Sequence, residues 1–270
     1  MNVTFIGGGN IASAIVGGLL RKRWSRRAIQ VVEVAPAART RLARAFRVRV
    51  CPALDARAAA SDCIILAVKP QQLPEAARAL RPLLARQLVI TVAAGVRVRD
   101  LSRWLGGYPR IVRVMPNTPA LALAGISGLY AGRAVNAAGR AAAQKVLGVV
   151  GTTLWFGRED ALDVVTAVSG SGPAYVYYFV EALERAAREL GLETGAARRL
   201  ALETFAGAMK LAAQAGEPPA ILRARVTSKG GTTERGIASL DADRVRDAIL
   251  RAVKAAARRS RELGDELGRN

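Results

Sequence analysis

The opening of the chain constrains its fold more than any other segment. An apolar run, Val3–Ile6, leads into Gly7–Gly9 and then into a helical pattern that contains Ala12. This is the spacing Gly-x-Gly-x-x-Ala between a strand and a helix. Gly7 permits a tight turn, Gly9 lets the backbone approach a pyrophosphate, and Ala12 keeps the helix close to the strand. Because the first amides of the helix then face the phosphate, the segment predicts a dinucleotide site.

Strand and helix patterns alternate after this opening. Strands are predicted at Val3–Gly7, Ile29–Val34, Asp62–Val68, Leu88–Val92, Arg110–Val114, Gly125–Tyr130 and Thr152–Phe156, the last at the sheet edge. Helices are predicted at Ile11–Arg23, Pro36–Ala45, Gln71–Ala85 and Asn136–Val149. The alternation predicts an α/β fold with a Rossmann-type, doubly wound and mostly parallel sheet. Ligands of such a sheet bind at the carboxyl ends of its strands.

The pattern changes after Gly157, where the strands stop. Helical periodicity covers Glu159–Val168, Pro173–Leu190, Thr194–Ala215 and Asp243–Leu267. Apolar residues lie on more than one face of these helices, so we expect a second copy of the chain to cover them. Chains of this length commonly have two domains. We therefore predict a dinucleotide-binding domain over residues 1–158 and an all-α dimerisation domain over residues 159–270.

The chain is strongly basic, with 41 Lys and Arg against 21 Asp and Glu and a formal net charge of +20. Such an excess can indicate nucleic-acid binding. It runs through the whole chain, however, and no zinc-finger spacing, RNP-like aromatic motif or basic heptad pattern accompanies it. We therefore expect no nucleic-acid partner, and a positive field that attracts anionic substrates and cofactors.

Cysteines and apolar segments indicate the compartment. Cys51 and Cys63 are too few for a disulfide scaffold, and Cys63 lies in a predicted buried strand. The apolar runs are shorter than a bilayer requires, and the N-terminus has no signal-peptide pattern. We predict a cytoplasmic protein with two reduced thiols and no membrane contact. Without a Cys/His cluster, no metal is expected.

The sequence leaves the choice of dinucleotide open. Glu33 lies 21 residues after Ala12, near the end of the second predicted strand, close to the position where a carboxylate binds the ribose 2′-hydroxyl of NAD. Arg39 and Arg41 follow and could instead bind the 2′-phosphate of NADP. Glu33 could equally be an edge charge that balances nearby arginines. NADPH and NADH are therefore both candidates.

Four further segments carry a family resemblance. They are Ala67-Val68-Lys69-Pro70-Gln71, Arg113-Val114-Met115-Pro116-Asn117-Thr118-Pro119-Ala120, Ser169-Gly170-Ser171-Gly172-Pro173-Ala174-Tyr175 and Val226-Thr227-Ser228-Lys229-Gly230-Gly231-Thr232-Thr233. With the glycine-rich opening, in this order and across essentially the whole chain, the sequence resembles the pyrroline-5-carboxylate reductase family. The resemblance implies an oxidoreductase that uses NADPH or NADH to reduce Δ1-pyrroline-5-carboxylate to L-proline in proline biosynthesis. It also implies a homodimer, or a higher homo-oligomer built from dimers, with the partner subunit contributing to the active site.

The resemblance further implies a set of site residues. Those expected to bind the cofactor are Gly7, Gly8, Gly9, Asn10, Ile11, Ala12, Ala35, Asp55, Ala67, Val68, Lys69, Pro70, Ala93, Ala94, Gly95, Met115, Pro116 and Asn117, with Met115–Thr118 near the nicotinamide. Those expected to bind substrate are Ser228, Gly230, Gly231, Thr232 and Thr233, with the Thr233 hydroxyl reaching the imine nitrogen as the catalytic group. Small residues in such a loop expose successive amides to an anion. The alternative is a helix-capping turn with Thr232 or Thr233 as the N-cap.

Three residues depart from the family pattern. Lys229 stands where the family usually has proline, so the loop loses a rigid residue and gains a cation near the substrate carboxylate. Arg225 adds a second cation, although both could simply be exposed charges. Asp55 stands where asparagine is usual near the adenosine.

The chain contains no histidine. A reductase of ketones or hydroxy acids normally needs His, Lys or Tyr as a proton donor. The related β-hydroxyacid dehydrogenases place a lysine on the first long helix after the cofactor domain, where Ala174–Val180 has none. A protonated imine already accepts hydride and needs mainly orientation, so the composition favours imine reduction. The alternatives are a reductase of a related cyclic imine or hydroxy acid, and a non-catalytic dinucleotide-binding or nucleic-acid-binding protein.

Overall fold

A computed structural model describes residues 1–269, and eight strands among them form a single sheet. The strands are β1 (Val3–Ile6), β2 (Ile29–Val32), β3 (Arg49–Cys51), β4 (Cys63–Leu66), β5 (Leu88–Thr91), β6 (Ile111–Met115), β7 (Gly125–Ala131) and β8 (Gly151–Trp155). Their order is β3-β2-β1-β4-β5-β6-β7-β8, and within the described residues only the β6–β7 pair is antiparallel. The order reverses between β1 and β4, as in a doubly wound sheet. The predicted fold class is confirmed.

The described chain divides into two compact units. The first unit, residues 1–171 together with the segment from Ala256 onward, contains α1 (Asn10–Arg21), α2 (Pro36–Phe46), α3 (Ala56–Ala59), α4 (Leu73–Leu80), α5 (Val98–Trp104), α6 (Ala137–Leu147) and α7 (Ala161–Val165). The second unit, residues 172–255, contains α8 (Gly172–Glu189), α9 (Thr194–Ala215), α10 (Pro219–Arg225) and α11 (Thr232–Ala242), and α12 (Val245–Gly268) begins in it. None of the helices in residues 1–269 is long and apolar enough to span a bilayer. The domain boundary between residues 158 and 159 stays a prediction.

Both faces of the sheet are buried. Side chains alternate along each strand, so Phe5 belongs to one core with α1 and α6, whereas Ile6 belongs to another with α4 and α5. Every residue of β1, β2, β4 and β5 is buried. This burial explains why the strands are continuous apolar runs in the sequence, as expected for parallel strands with helices on both sides.

Departures from the predicted elements have local causes. The strand Arg49–Cys51 was not predicted, because it is a short edge strand whose residues are all partly or fully exposed. The helix predicted over Gln71–Ala85 is α4 flanked by two 3₁₀ turns, because Pro82 cannot continue the helical hydrogen bonds. The helix predicted over Glu159–Val168 is α7 followed by a π-helical turn, Thr166–Gly170. Helices α3, α5, α10 and α11 were not predicted.

The second unit exposes many large apolar side chains. Those on α8 and α9 are Val176, Tyr177, Tyr178, Leu183, Leu200, Leu202, Met209 and Leu211. Exposed apolar side chains in such number are characteristic of a protein interface. It agrees with the expectation that a second copy of the chain covers these helices.

The two cysteines differ in burial, and this difference predicts their reactivity. Cys63 on β4 is fully buried, which raises the pKa of its thiol to about 12, and the neighbouring Asp62 adds to the rise. Cys51 is partly exposed, and its smaller burial also raises its pKa. Because the thiolate is the reactive form, a maleimide-type reagent at neutral pH should label only Cys51 in the folded protein and both cysteines in denaturant. Labelling of Cys63 in the folded protein, read by peptide mass spectrometry, would contradict this burial.

Candidate active site

The carboxyl ends of the parallel strands β1 to β6 meet at one edge of the sheet. The register places Ile6 of β1 beside Val32 of β2 and Leu66 of β4, so the residues after these positions lie side by side. The segments that follow strands at this edge include Gly7–Ala12, Ala67–Pro70, Ala93–Gly95 and Met115–Asn117. The structure therefore brings most of the predicted cofactor residues to the edge where doubly wound sheets bind their ligands.

The glycine-rich turn connects β1 to α1 as its sequence predicts. Gly7 has a φ of 97°, and a Cβ at this position would lie 2.7 Å from the carbonyl oxygen of Ala67. Gly9 is the N-cap of α1, and a Cβ there would meet no atom of the described surroundings within 4 Å. Helix α1 has neither a side-chain cap nor an acidic residue in its first turn. The open space and the uncapped amides fit the pyrophosphate of a dinucleotide.

Glu33 lies beside this turn, directly after β2. The strand ends at Val32, two residues earlier than the sequence predicts. Oε2 of Glu33 accepts a hydrogen bond from the Gly8 N–H at 2.8 Å, and Oε1 accepts one from the Ala35 N–H at 2.9 Å. Arg39 donates to main-chain carbonyls at the end of the strand. The Glu33 carboxylate is thus held against the glycine-rich turn, a contact that the sequence did not reveal.

Other predicted cofactor residues have contacts within the first unit. Gly95 has a φ of 78°, and a Cβ on it would lie 3.3 Å from Leu267 at the end of α12. Oδ1 of Asn117 accepts a hydrogen bond from the main chain of β7, which fixes the turn after β6. A Cβ on Gly170 would overlap the Met115 side chain. Gly170, in the Ser169–Tyr175 motif, therefore leaves room for the side chain of Met115, a residue of the predicted nicotinamide region.

Asp55 uses its carboxylate inside the protein. It caps α3 by accepting a hydrogen bond from the Ala58 N–H at 3.1 Å. It also accepts one from Gln30 Nε2 at 2.8 Å and pairs with Arg49 Nη2 at 2.7 Å. The Gln30 hydrogen bond and then the Arg49 guanidinium hold the pKa of Asp55 below its usual value. The charged residue at this position thus has a local partner, and its contact with adenosine stays a prediction.

Two carboxylates surround the buried guanidinium of Arg113. Arg113 on β6 is 4% exposed, and its guanidinium lies 3.2 Å from Glu159 Oε1 and 3.5 Å from Asp163 Oδ1. Glu159 also accepts from the Val98 N–H at 2.7 Å, and Asp163 accepts from Ser260 Oγ at 2.8 Å. The cluster ties β6 to α5, α7 and α12. Sequence reasoning missed it, although a charged residue within an apolar strand was the signal, because such residues are rarely buried without partners.

The loop between α10 and α11, together with the first turn of α11, contains the predicted substrate residues, within the second unit. Gly230 has a φ of 74°, and Gly231 is the N-cap of α11 without a side-chain cap. The Gly231 N–H donates to the carbonyl of Ser228 at 3.1 Å. Thr232 and Thr233 are exposed in the first turn of α11. The interpretation in which Thr232 or Thr233 is the N-cap is therefore wrong, because both lie inside the helix.

The charged residues around this loop differ in their contacts. The Gly230 N–H donates to Oε2 of Glu234 at 2.7 Å, so the loop amides already bind one carboxylate. Arg225 pairs with Glu217 at 2.8 Å, which gives its charge a partner on the neighbouring turn. Lys229 is exposed in the loop itself. Of the two unusual cations, Lys229 is therefore the one beside the predicted substrate amides.

Comparison with known proteins places this chain in a family. Residues 159–263 match the family model described as pyrroline-5-carboxylate reductase dimerisation, and residues 2–95 match the one described as NADP oxidoreductase coenzyme F420-dependent. The chain is 40% identical to the pyrroline-5-carboxylate reductase of Pseudomonas aeruginosa over 98% of both chains. The chain belongs to the pyrroline-5-carboxylate reductase family. It is also 35% identical to pyrroline-5-carboxylate reductase 2 of Bacillus subtilis, over 98% of this chain and 95% of that one.

Solved structures of the family have the same fold. The pyrroline-5-carboxylate reductase of Coxiella burnetii superposes with a TM-score of 0.91 at 37% identity, covering 97% of this chain and 98% of that one. The pyrroline carboxylate reductase of Plasmodium falciparum, solved with NADP bound, gives a TM-score of 0.86 at 26% identity, covering 98% of each. The fold resemblance therefore extends over both units of this family member.

Proposed function

We propose that this protein is an NAD(P)H-dependent oxidoreductase that reduces Δ1-pyrroline-5-carboxylate to L-proline, the last step of proline biosynthesis. The observation that carries the proposal is the 40% identity to a reductase of this name over 98% of both chains. The sheet edge supports it, because the uncapped α1 and the open space at Gly9 suit a dinucleotide. When bound, the nicotinamide supplies the hydride for the C=N carbon.

The chain's own residues bind and orient the reactants. We assign the cofactor to the sheet edge, with its pyrophosphate on the amides of α1 and its nicotinamide near Met115–Asn117. The substrate carboxylate is assigned to Ser228 and to the amides of Gly231 and Thr232. Short side chains and a helix N-terminus without a side-chain cap suit an anion at the start of α11.

Thr233 is assigned the catalytic contact with the imine nitrogen. Its hydroxyl, exposed in the first turn of α11, would donate a hydrogen bond to that nitrogen, polarise the C=N bond and help the nitrogen to take up a proton as the hydride arrives. The protonated C=N carbon accepts hydride readily, so the site needs orientation and one hydroxyl rather than a strong acid. This chemistry suits a chain that contains no histidine.

The assembly is a homo-oligomer, because the chain carries the family's dimerisation region at residues 159–263. We propose a dimer, or a larger assembly built from dimers, held together by the apolar surface of α8 and α9. We also propose that the protein acts in the cytoplasm without a nucleic-acid partner, with its net charge of +20 attracting anionic ligands.

The reaction is tested by following the loss of NADH or NADPH absorbance with freshly prepared pyrroline-5-carboxylate and identifying proline by mass spectrometry. We expect turnover with this imine and none with 2-oxo acids. Dinucleotide binding without turnover on the imine would contradict the proposed function. Turnover confined to another cyclic imine would reassign the substrate.

The Gly9→Val variant tests the dinucleotide site in the same assay. A Cβ at this position meets no atom within 4 Å, so the variant should fold, with a melting temperature lowered only by the poorer N-cap. The added side chain would occupy the approach to the α1 amides, and we expect kcat/KM for the dinucleotide to fall about a hundredfold. An unchanged kcat/KM would place the pyrophosphate elsewhere.

A further inference from the structure

We infer that Glu33 makes this reductase selective for NADH over NADPH. The inference deepens the proposed function by naming its cofactor, and it rests on the dinucleotide site rather than on the imine reaction. It also distinguishes this chain from its Plasmodium falciparum relative, whose structure was solved with NADP bound.

The position of Glu33 relates it to the adenosine ribose. Gly7 donates its N–H to the carbonyl of Val32 at 2.8 Å, so Glu33 lies level with the glycine-rich turn on the neighbouring strand. In a doubly wound sheet the pyrophosphate lies on the first helix and the adenosine ribose lies over the end of the second strand. The Glu33 carboxylate occupies the end of that strand.

The orientation of the carboxylate suits ribose hydroxyls. The Gly8 and Ala35 amides each donate to a different oxygen of Glu33, at 2.8 and 2.9 Å, and so fix the side chain in place. An ionised carboxylate has about four acceptor sites, so two stay available to the 2′- and 3′-hydroxyls after both amides have bound. A fixed acceptor loses little side-chain freedom when the ribose binds.

A 2′-phosphate would meet unfavourable charge at the same place. The phosphate of NADPH carries about two negative charges at neutral pH, and Glu33 adds one within a few ångströms. Repulsion at such distances changes binding by about tenfold or more at the effective dielectric of a protein surface. Val34, the next residue, is 75% exposed and has no side-chain donor for a phosphate.

The two nearby arginines offset this repulsion only in part. Nη1 of Arg39 donates to the carbonyls of Glu33 and Val34, at 3.2 and 2.7 Å, so this nitrogen is engaged at the strand end. Arg41 lies two residues further along α2, about 200° around the helix from Arg39, and faces a different direction. The remaining net positive charge is spread over the protein and is screened beyond about 8 Å at physiological salt.

The test is the ratio of two dissociation constants, which needs no substrate. NADH and NADPH are titrated against the purified oligomer at physiological ionic strength, with nucleotide fluorescence as the readout. We expect the Kd of the wild type to be at least about tenfold lower for NADH. Glu33→Gln keeps an oxygen that can accept from Gly8 and removes the charge, so the ratio should fall about tenfold.

Two control variants separate the causes. Glu262→Gln removes one exposed negative charge on α12 and should leave the ratio unchanged, so a general charge effect is recognised. Arg39→Gln should change the ratio by less than Glu33→Gln does, whereas a larger, selective loss of NADPH binding would identify Arg39 as a phosphate ligand. Melting curves and circular dichroism check that each variant folds.

Tighter binding of NADPH by the wild type, or an unchanged ratio in Glu33→Gln, would overturn the inference. The outcomes stay distinct from those of the proposed function. Selective NADH binding without reduction of pyrroline-5-carboxylate would contradict the reaction and keep the cofactor preference. Proline formation with a preference for NADPH would support the reaction and contradict the inferred cofactor preference.

Discussion

Thr233→Val is expected to lower kcat for pyrroline-5-carboxylate by about a hundredfold, the contribution typical of a positioned proton donor. The substitution keeps the branched shape of the side chain and removes its hydroxyl. If this hydroxyl stabilises the imine nitrogen mainly as the hydride arrives, kcat falls and KM changes little. The Kd for NADH or NADPH, measured separately, should be unchanged. Steady-state kinetics with both substrates varied gives all of these quantities.

The controls for Thr233 come from the same unit. Thr233→Ser restores a hydroxyl and should recover most of kcat. Thr194→Val changes an exposed threonine in the first turn of α9, as Thr233 is exposed in the first turn of α11, and should have the activity of the wild type. A rise in KM at constant kcat would instead assign Thr233 to ground-state binding, and wild-type kinetics would remove it from the site.

The order of strands and helices was predictable where the local sequence pattern and the packing of the segment require the same structure. The glycine-rich turn is such a case. A Cβ at Gly7 would collide with the Ala67 carbonyl, so the spacing of the glycines is needed where α1 lies against the sheet. The buried strands were equally clear, since parallel strands covered on both faces need unbroken apolar runs. The edge strand β3, whose three residues are all partly or fully exposed, gave no such run.

Contacts between distant residues could not be predicted in the same way. Glu33 was a recognised candidate, but its hydrogen bond to the Gly8 amide depends on β2 ending at Val32. The capping interpretation of Thr232 and Thr233 was wrong because α11 begins at Thr232, with Gly231 as the N-cap. Helix ends are decided by a few hydrogen bonds, and a sequence with several small residues leaves one or two positions undetermined.

Arg113→Met is expected to lower the free energy of unfolding by about 3–5 kcal/mol, because it leaves the buried Asp163 carboxylate and the partly buried Glu159 carboxylate without a cation. The guanidinium is 4% exposed and lies between Glu159 and Asp163, which would retain only the Val98 amide and the Ser260 hydroxyl. A typical domain is stable by about 5–15 kcal/mol, so the loss is a large share of the total. Urea unfolding at fixed protein concentration measures it, since oligomers unfold in a concentration-dependent way.

A neighbouring pair provides the matched control for Arg113. Arg158 pairs with Asp160, and both side chains are more than half exposed. Because solvent screens such pairs, Arg158→Met should leave the unfolding midpoint unchanged. A double-variant cycle with Asp163→Leu should give a coupling of about 0.5–3 kcal/mol with Arg113→Met, whereas additive losses would mean that the two residues act independently. An equal midpoint for Arg113→Met and Arg158→Met would show that the buried cluster adds nothing beyond an exposed ion pair, and that apolar packing alone holds β6 against α7 and the end of α12.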